Sequence, residues 1–251
     1  MKRASVLLLL FALVLLTACG GKKKVQARIP APPPPISTTD ETLPEPPAKV
    51  DNDSGKGEIE GEDAYKDAPV LSTQTGMASW YGPPYHNRKA ANGEVFDMNA
   101  LTAAHRTLPL NTIVRVTNLK TSHSAVLRIT DRGPFVPDRI IDLSKAAAIK
   151  LDVWRPGTAK VRIDVLETPK SLEDGGRWCV QIGAIKEQET AIELKEKLMR
   201  RYTTAKVLQF ASPIGDYWIR IRVAGDDKQK AEQLAEENTT PEGNIFLVRL
   251  D

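Results

Sequence analysis

Nine of the 18 prolines in this 251-residue chain lie between Gly20 and Ser72, four of them consecutive from Pro32 to Pro35. Each proline fixes its own φ and removes a main-chain donor, so this stretch can supply neither a helix interior nor a sheet ladder. Nothing in it alternates or repeats with a structural period, and its second half is rich in acid and glycine. It reads as a disordered or polyproline-like tether. Any core must therefore come from the residues C-terminal to it. A tether of about 50 residues reaches on the order of 40 Å as a coil and up to roughly 150 Å when extended. A spacer is a simpler reading of the proline run than a docking motif.

Ahead of the tether the order is Lys2-Arg3, an apolar run from Val6 to Leu16, and then Leu16-Thr17-Ala18-Cys19. The run is too short to span a bilayer as a permanent helix, so a targeting segment is expected. Leu16 to Cys19 resembles the lipobox of bacterial lipoproteins. That resemblance implies a signal peptide over residues 1–18 and acylation of Cys19, with a plain signal peptide and an incidental cysteine as the alternative. Gly20-Gly21 lacks the aspartate associated with inner-membrane retention, which implies an outer-membrane lipoprotein facing the periplasm.

Cys179 is the only other cysteine. With Cys19 lipidated it has no intrachain partner and is expected to be buried as a small apolar side chain. Neither a metal cluster nor a cofactor site is expected. The formal charge of +3 falls by two when Lys2 and Arg3 are removed, which is too little to argue for nucleic acid.

Residues 76–168 read as one folded domain after the tether of 19–75, residues 169–176 as a polar linker, and residues 177–251 as a second domain. In the first, short β-rich runs occur at Met77 to Tyr81, Ile113 to Thr117, Ala125 to Thr130 and Lys160 to Leu166. Turn signals such as Gly82-Pro83-Pro84 and Asn92-Gly93 separate them. With one helical patch from Leu143 to Leu151, the pattern is that of a small, mostly β barrel. Between Gly76 and Glu167 it carries 13 basic and 8 acidic residues, a balance compatible with a carboxylate-bearing substrate.

The second domain orders as strand (Trp178 to Ile185), helix (Glu187 to Tyr202), hairpin (Lys206 to Val223), helix (Asp226 to Glu237) and strand (Asn244 to Leu250). This βαββαβ order is that of a ferredoxin-like α+β module. Its 12 basic and 12 acidic residues give no support to RNA recognition.

Three groups in the first domain could do chemistry. Asp131 follows the strand-like run Val126 to Thr130 and precedes the chain-breaking Gly133-Pro134; Glu94 follows Asn92-Gly93; His105 closes Leu101-Thr102-Ala103-Ala104. All three read as lying in or beside loops, where sites are commonly built on a rigid barrel. A carboxylic acid whose pKa is raised by burial or by a neighbouring charge can give a proton to a leaving oxygen and later take one back. Asp131 or Glu94 could do so. Each also has a structural reading: a turn aspartate, a hairpin-tip glutamate, a hydrogen-bonded imidazole.

Six blocks taken in order resemble one family. They are Gly76-Met77-Ala78-Ser79-Trp80-Tyr81-Gly82, Ala91-Asn92-Gly93-Glu94, Leu101 to His105, Val114 to Leu119, Asp131-Arg132-Gly133-Pro134-Phe135 and Arg139-Ile140-Ile141-Asp142-Leu143-Ser144. They are similar to the rare lipoprotein A family of septal ring lytic transglycosylases, across essentially all of Gly76 to Glu167. The departures, Lys89-Ala90 and His123, touch none of the three groups.

The resemblance implies a double-psi β-barrel that cleaves the β-1,4 bond between N-acetylmuramic acid and N-acetylglucosamine in denuded peptidoglycan glycan strands. The products end in 1,6-anhydro-muramic acid. Carried onto matching positions, the catalytic set is Asp131, Glu94 and His105. Asp131 is then the acid and base, Glu94 a group that raises its pKa by like charge or orients the sugar, and His105 a substrate contact. Trp80 and Tyr81 are candidates for stacking on sugar, with core packing as the alternative, and Arg132 is a further binding candidate.

The second domain resembles the sporulation-related repeat (SPOR) domain, from Trp178-Cys179-Val180-Gln181-Ile182-Gly183-Ala184 through Tyr217-Trp218-Ile219-Arg220-Ile221-Arg222-Val223. Members bind denuded glycan at the division site, which makes Gln181, Tyr217, Trp218 and Arg220 candidate contacts. Ile185 and Ala224-Gly225 depart from the usual pattern. The partners implied are glycan strands and the outer membrane, with divisome proteins admitted as further ones. A non-catalytic, expansin-like glycan binder is the alternative function.

Overall fold

The computed structural model describes residues 62–251. The signal segment, Cys19 and most of the expected tether lie outside the described residues.

Six strands form the first domain: β1 (Ser72–Trp80), β2 (Thr102–His105), β3 (Ile113–Asn118), β4 (Ser124–Asp131), β5 (Arg139–Leu143) and β6 (Ala159–Glu167). They close into a barrel in the order β1-β5-β2-β4-β3-β6, with β6 pairing back onto β1. The β1/β5 and β2/β4 pairs are parallel and the others antiparallel. This is the double-psi barrel.

Its lumen is filled by the inward-pointing half of each alternating run. Val114 and Val116, Leu127 and Ile129, Ile141 and Leu143, and Val161, Ile163 and Val165 are all fully buried and packed together. β-branched residues suit this pleated, closed surface. On the outer face, Asp164 is held by Thr73 Oγ1 at 2.9 Å and Arg162 Nε at 3.0 Å.

Of these strands, β2 and β5 were not expected. Thr102 to His105 shows no alternation because it is buried on both faces, the lumen on one side and the connection leaving β4 on the other. His105 thus ends a strand, beside the turn that follows it. The helical patch contracts to α1 (Lys145–Lys150), where Ser144 Oγ accepts the Ala147 N–H at 3.2 Å as an N-cap.

The second domain follows the expected order. β7 (Trp178–Ile185), α2 (Gln188–Arg201), β8 (Lys206–Ala211), β9 (Tyr217–Arg222), α3 (Lys228–Glu236) and β10 (Asn244–Arg249) build a sheet ordered β10-β7-β9-β8. All its pairs are antiparallel, the ferredoxin-like arrangement. Ala191, Leu194 and Leu198 of α2 and Ala231 and Leu234 of α3 pack on one face of the sheet. α3 starts later than expected because Asp226 pairs with Arg177 and Arg222, and Asp227 caps the helix by accepting the Lys230 N–H at 2.9 Å. Cys179 is a free, buried thiol. Among the described residues no helix is long and apolar enough to cross a membrane.

Candidate active site

β2 runs between β4 and β5, and a single residue of it, Ala104, is the register partner of both Asp131 on β4 and Asp142 on β5. Ser79 on β1 is in turn the partner of Asp142. Directly paired residues on adjacent strands point to the same face of a sheet. The lumen takes Ala78, Ala103, Ile129, Ile141 and Leu143, so this row of Ser79, Asp142, Ala104 and Asp131 lies on the outside of the barrel. The connection from β4 to β5 then crosses β2. Gly133 lies over Ala104 and takes φ +147, a conformation that L side chains rarely adopt.

Asp131 is partly buried, and both of its hydrogen bonds go to Oδ1, from the main-chain N–H of Ala91 at 3.0 Å and of Arg132 at 2.8 Å. Burial is the largest influence on this carboxyl and raises its pKa above the ordinary value, against those two N–H groups and the Arg132 charge. The loop bearing Ala91 is held in place by Asn92 N–H, which donates to Thr130 O at 3.1 Å.

Asp142 was not singled out from the sequence, although it lies within a quoted block. Its Oδ1 accepts from Ser79 Oγ at 2.7 Å and its Oδ2 from Arg139 Nη2 at 3.2 Å, and burial raises its pKa too. Embedded in the apolar run Ile140 to Leu143, it gave no loop signal. Its pairing with the row that carries Asp131 is visible only in the register.

Tyr81 stands beside both carboxyls. Burial first, then the charges of Asp131 and Asp142, push its hydroxyl well above its usual pKa. Its ring stacks on Phe96 at 4.4 Å between centroids and meets Tyr85 edge-on at 5.8 Å. Tyr85 is raised in the same way, by burial and then by Asp142, Asp216 and Asp131. Trp80 turns the other way, packing on Trp154 at 4.1 Å against the barrel core.

Glu94 is more than half exposed and forms a two-armed pair with Arg128, Nη1 to Oε1 at 2.8 Å and Nη2 to Oε2 at 2.7 Å. The Arg128 hydrogen bonds come first in holding its pKa below the usual carboxylate value. Glu94 therefore stays ionised and is unsuited to donate a proton. Burial, rather than like charge from Glu94, is what raises Asp131.

His105 is fully buried. Its Nδ1 accepts the N–H groups of Thr107 at 3.2 Å and Leu108 at 3.0 Å, so the ring proton resides on Nε2 and is donated to Gln74 Oε1 at 3.2 Å. Burial, then the charges of Arg106 and Arg132, lower its pKa to about 3. It is a neutral imidazole that organises the turn after β2. The Arg132 guanidinium is likewise committed to main-chain oxygens, those of His105 at 3.0 Å, Leu108 at 2.7 Å and Asp251 at 2.7 Å.

In the second domain, alternation along β9 separates the four candidates. Tyr217 packs with the helix-side cluster and donates to Gln188 Oε1 at 3.3 Å. Gln181, Trp218 and Arg220 share the opposite face, with Arg220 Nη2 donating to Gln181 Oε1 at 3.0 Å. Among the described residues no three His, Cys, Asp or Glu side chains are grouped so as to hold a metal ion.

Residues 73–163 match the family model described as lytic transglycolase, and residues 174–237 match that of the SPOR domain. The fold is thus a double-psi barrel whose residues match the lytic transglycolase model, joined to an α+β domain that matches the SPOR model. A Campylobacter jejuni protein named endolytic peptidoglycan transglycosylase RlpA is 42% identical over 161 residues, covering 54% of this chain and 58% of that one. Its Helicobacter pylori (strain ATCC 700392 / 26695) namesake is 43% identical over 152 residues, 49% of this chain and 48% of the other. A Neisseria meningitidis (serogroup A) namesake reaches 59% over 92 residues, 37% and 38% respectively. The chain is thus similar to proteins named RlpA along part of its length. It spans about half the length of the curated relatives it matches.

Proposed function

We propose that this chain is an endolytic lytic transglycosylase acting on denuded peptidoglycan glycan strands at the division septum, anchored in the outer membrane through Cys19. One observation carries the choice of catalytic group. Both hydrogen bonds to Asp131 fall on Oδ1, whereas both oxygens of Asp142 are engaged. Asp131 Oδ2 is thus placed to carry a proton, and burial raises the pH at which it is retained.

In this reading Asp131 protonates the glycosidic oxygen as the bond to muramyl C1 breaks, and the N-acetylglucosamine side leaves as a 4-hydroxyl. The muramyl C6 hydroxyl closes on C1 and returns its proton to Asp131. The nucleophile is already part of the substrate, so neither a water-activating base nor a covalent carboxylate is needed. Asp142 and the Tyr81 hydroxyl flank the sugar, and His105 and Arg132 act as positioning residues. The names of the relatives support the activity; the SPOR match and the lipobox resemblance support the septal and membrane parts.

The test is incubation of the chain from residue 20 to 251 with amidase-stripped sacculi, followed by mass spectrometry. Anhydro-muramyl ends are expected. Glycan binding without such ends returns the chain to the non-catalytic binder. Within an active enzyme, Glu94→Gln gives a sharper check. It is expected to shift stability by less than about 1 kcal/mol, because the Glu94 side chain is more than half exposed, and to leave the basic limb of the pH–rate profile in place. A limb that moves down would give Glu94 the like-charge role after all.

A further inference from the structure

α2 and α3 cover one face of the C-terminal sheet. The other face carries Cys179, Trp218, Phe246 and Val248, with Gln181 and Arg220 alongside. In a lone βαββαβ module that face would be open. Here it is not: Gln181 is 1% exposed and Trp218 7%. What covers it is the barrel, which packs with the second domain within one compact unit.

Phe135, four residues beyond Asp131, leaves the β4–β5 connection and enters the aromatic cleft. Its ring lies 5.1 Å from that of Trp218 and 5.7 Å from that of Phe246. Arg106, whose Nη1 donates to Pro134 O at 2.9 Å and Arg139 O at 3.0 Å, sits over the Phe246 ring at 5.5 Å. Trp218 in turn rests on the bare backbone of Gly183, where a Cβ would come within 2.5 Å of the indole. A flat indole on a glycine platform, a second ring, and an arginine bonded to an amide are the chemistry that recognises a sugar ring: an apolar face to stack on and donors at its rim.

Two residues of the acid-bearing connection thus bind the second domain. Phe135 fills the cleft, and Arg132 reaches the Asp251 main-chain oxygen, which also accepts the Leu110 N–H at 3.1 Å. A second barrel strand end is stitched to β10 by Arg249 N–H donating to Arg106 O at 3.0 Å. Of the barrel's apolar side chains, Phe135 is the one packed against the cluster of Cys179, Trp218, Phe246 and Val248.

We infer that the helix-free face of the C-terminal sheet has two mutually exclusive occupants, the barrel's own Phe135 and a glycan strand. Phe135 acts as a tethered internal competitor. A strand that stacks on Trp218 displaces it, and the connection that carries Asp131 loses its aromatic anchor on the second domain in the same event, keeping the Arg132 link to Asp251. Capture of substrate by one domain is thereby coupled to the catalytic connection of the other. The inference rests on the proposed glycan-binding role of this face.

The experiment measures binding of peptide-free glycan strands, prepared by amidase treatment and digestion, to the chain from residue 20 to 251. Parent, Phe135→Ala and Trp218→Ala are compared, all in the Asp131→Asn background so that the probe is not consumed. Removing an internal competitor raises the fraction of competent face, so Phe135→Ala is expected to bind about tenfold more tightly than its parent. Trp218→Ala is expected to lose binding. Thermal unfolding checks each variant, and Phe135→Leu replaces Phe135→Ala should the latter not fold. Equal or weaker binding by the Phe135 variant, with Trp218→Ala still impaired, overturns the competition while leaving the glycan-binding role standing. If neither the parent nor the Phe135 variant binds glycan, the role assigned to the face fails and takes the inference with it.

Discussion

Asp131→Asn is expected to abolish anhydro-muramyl product from stripped sacculi, a loss of about 10²- to 10⁴-fold in turnover. The amide keeps an oxygen to accept the Ala91 and Arg132 N–H groups, so the connection stays in place and the fold is retained. What it cannot do is give or take the proton. In the unsubstituted enzyme the acid form must be present, so the rate is expected to fall as pH rises through the raised pKa of Asp131. That limb lies above the usual carboxylate range and disappears with the substitution. Asp142→Asn is the comparison, since its carboxyl is raised by the same cause but is engaged on both oxygens. Persistent product from the Asp131 variant, with none from the Asp142 variant, would exchange their roles.

The second large effect concerns His105, and it is an effect on stability. Replacing the ring with alanine leaves the Leu108 N–H without a partner in a buried place, and the Thr107 N–H and Gln74 amide oxygen without one in part-buried places where the cost is at the lower end. Each unsatisfied group costs about 1–3 kcal/mol, so His105→Ala is expected to remove roughly 3–6 kcal/mol, a large share of a typical domain's stability. His105→Asn, whose side-chain oxygen can take the place of Nδ1, is expected to recover part of it.

Denaturant unfolding followed with pH separates this from a catalytic role. The folded pKa of about 3 lies below the ordinary 6.5. The unfolded chain therefore binds the proton first, and the contribution of His105 is complete above about pH 6.5 and is lost as pH falls toward 3. The slope over that window should be smaller in His105→Ala. An unchanged stability with abolished turnover would instead make the imidazole a substrate contact.

How much of this was legible in the sequence depends on which side of each strand is covered. Val161, Ile163 and Val165 alternate with charged or exposed neighbours, and the strand could be read directly. The same holds for α2, whose Ala191, Leu194 and Leu198 fall on one helical stripe. β2 carries no such signal because both of its faces are buried, and β5 is too short and interrupted by Asp142. Asp131 was visible as an acid at a strand end, but its environment was not. The loop at Ala91, which helps to bury it, comes from 40 residues earlier in the chain. Glu94 and His105 looked alike as loop groups. Arg128, two strands removed in sequence from Glu94, keeps one ionised, and the turn after β2 keeps the other neutral. Trp80 and Tyr81 are adjacent in sequence yet belong to different aromatic groups, since successive side chains point to opposite faces.

Ala104 being the register partner of both aspartates has a geometric consequence for how such a site can change. Two hydrogen-bonded strand spacings separate the backbones of Asp131 and Asp142, about 9–10 Å. That interval is set by the main chain of a closed ring and is insensitive to which side chains fill the lumen. Core substitutions can weaken the barrel without retuning the distance across which a sugar must fit. Divergence of substrate preference, or its engineering, is left to the two loops that overhang the row: Gly82 to Leu101, which brings Tyr85, Ala91 and Phe96, and Arg132 to Asp138, which brings Phe135. The barrel is the gauge, and the loops are where a different glycan would be written in.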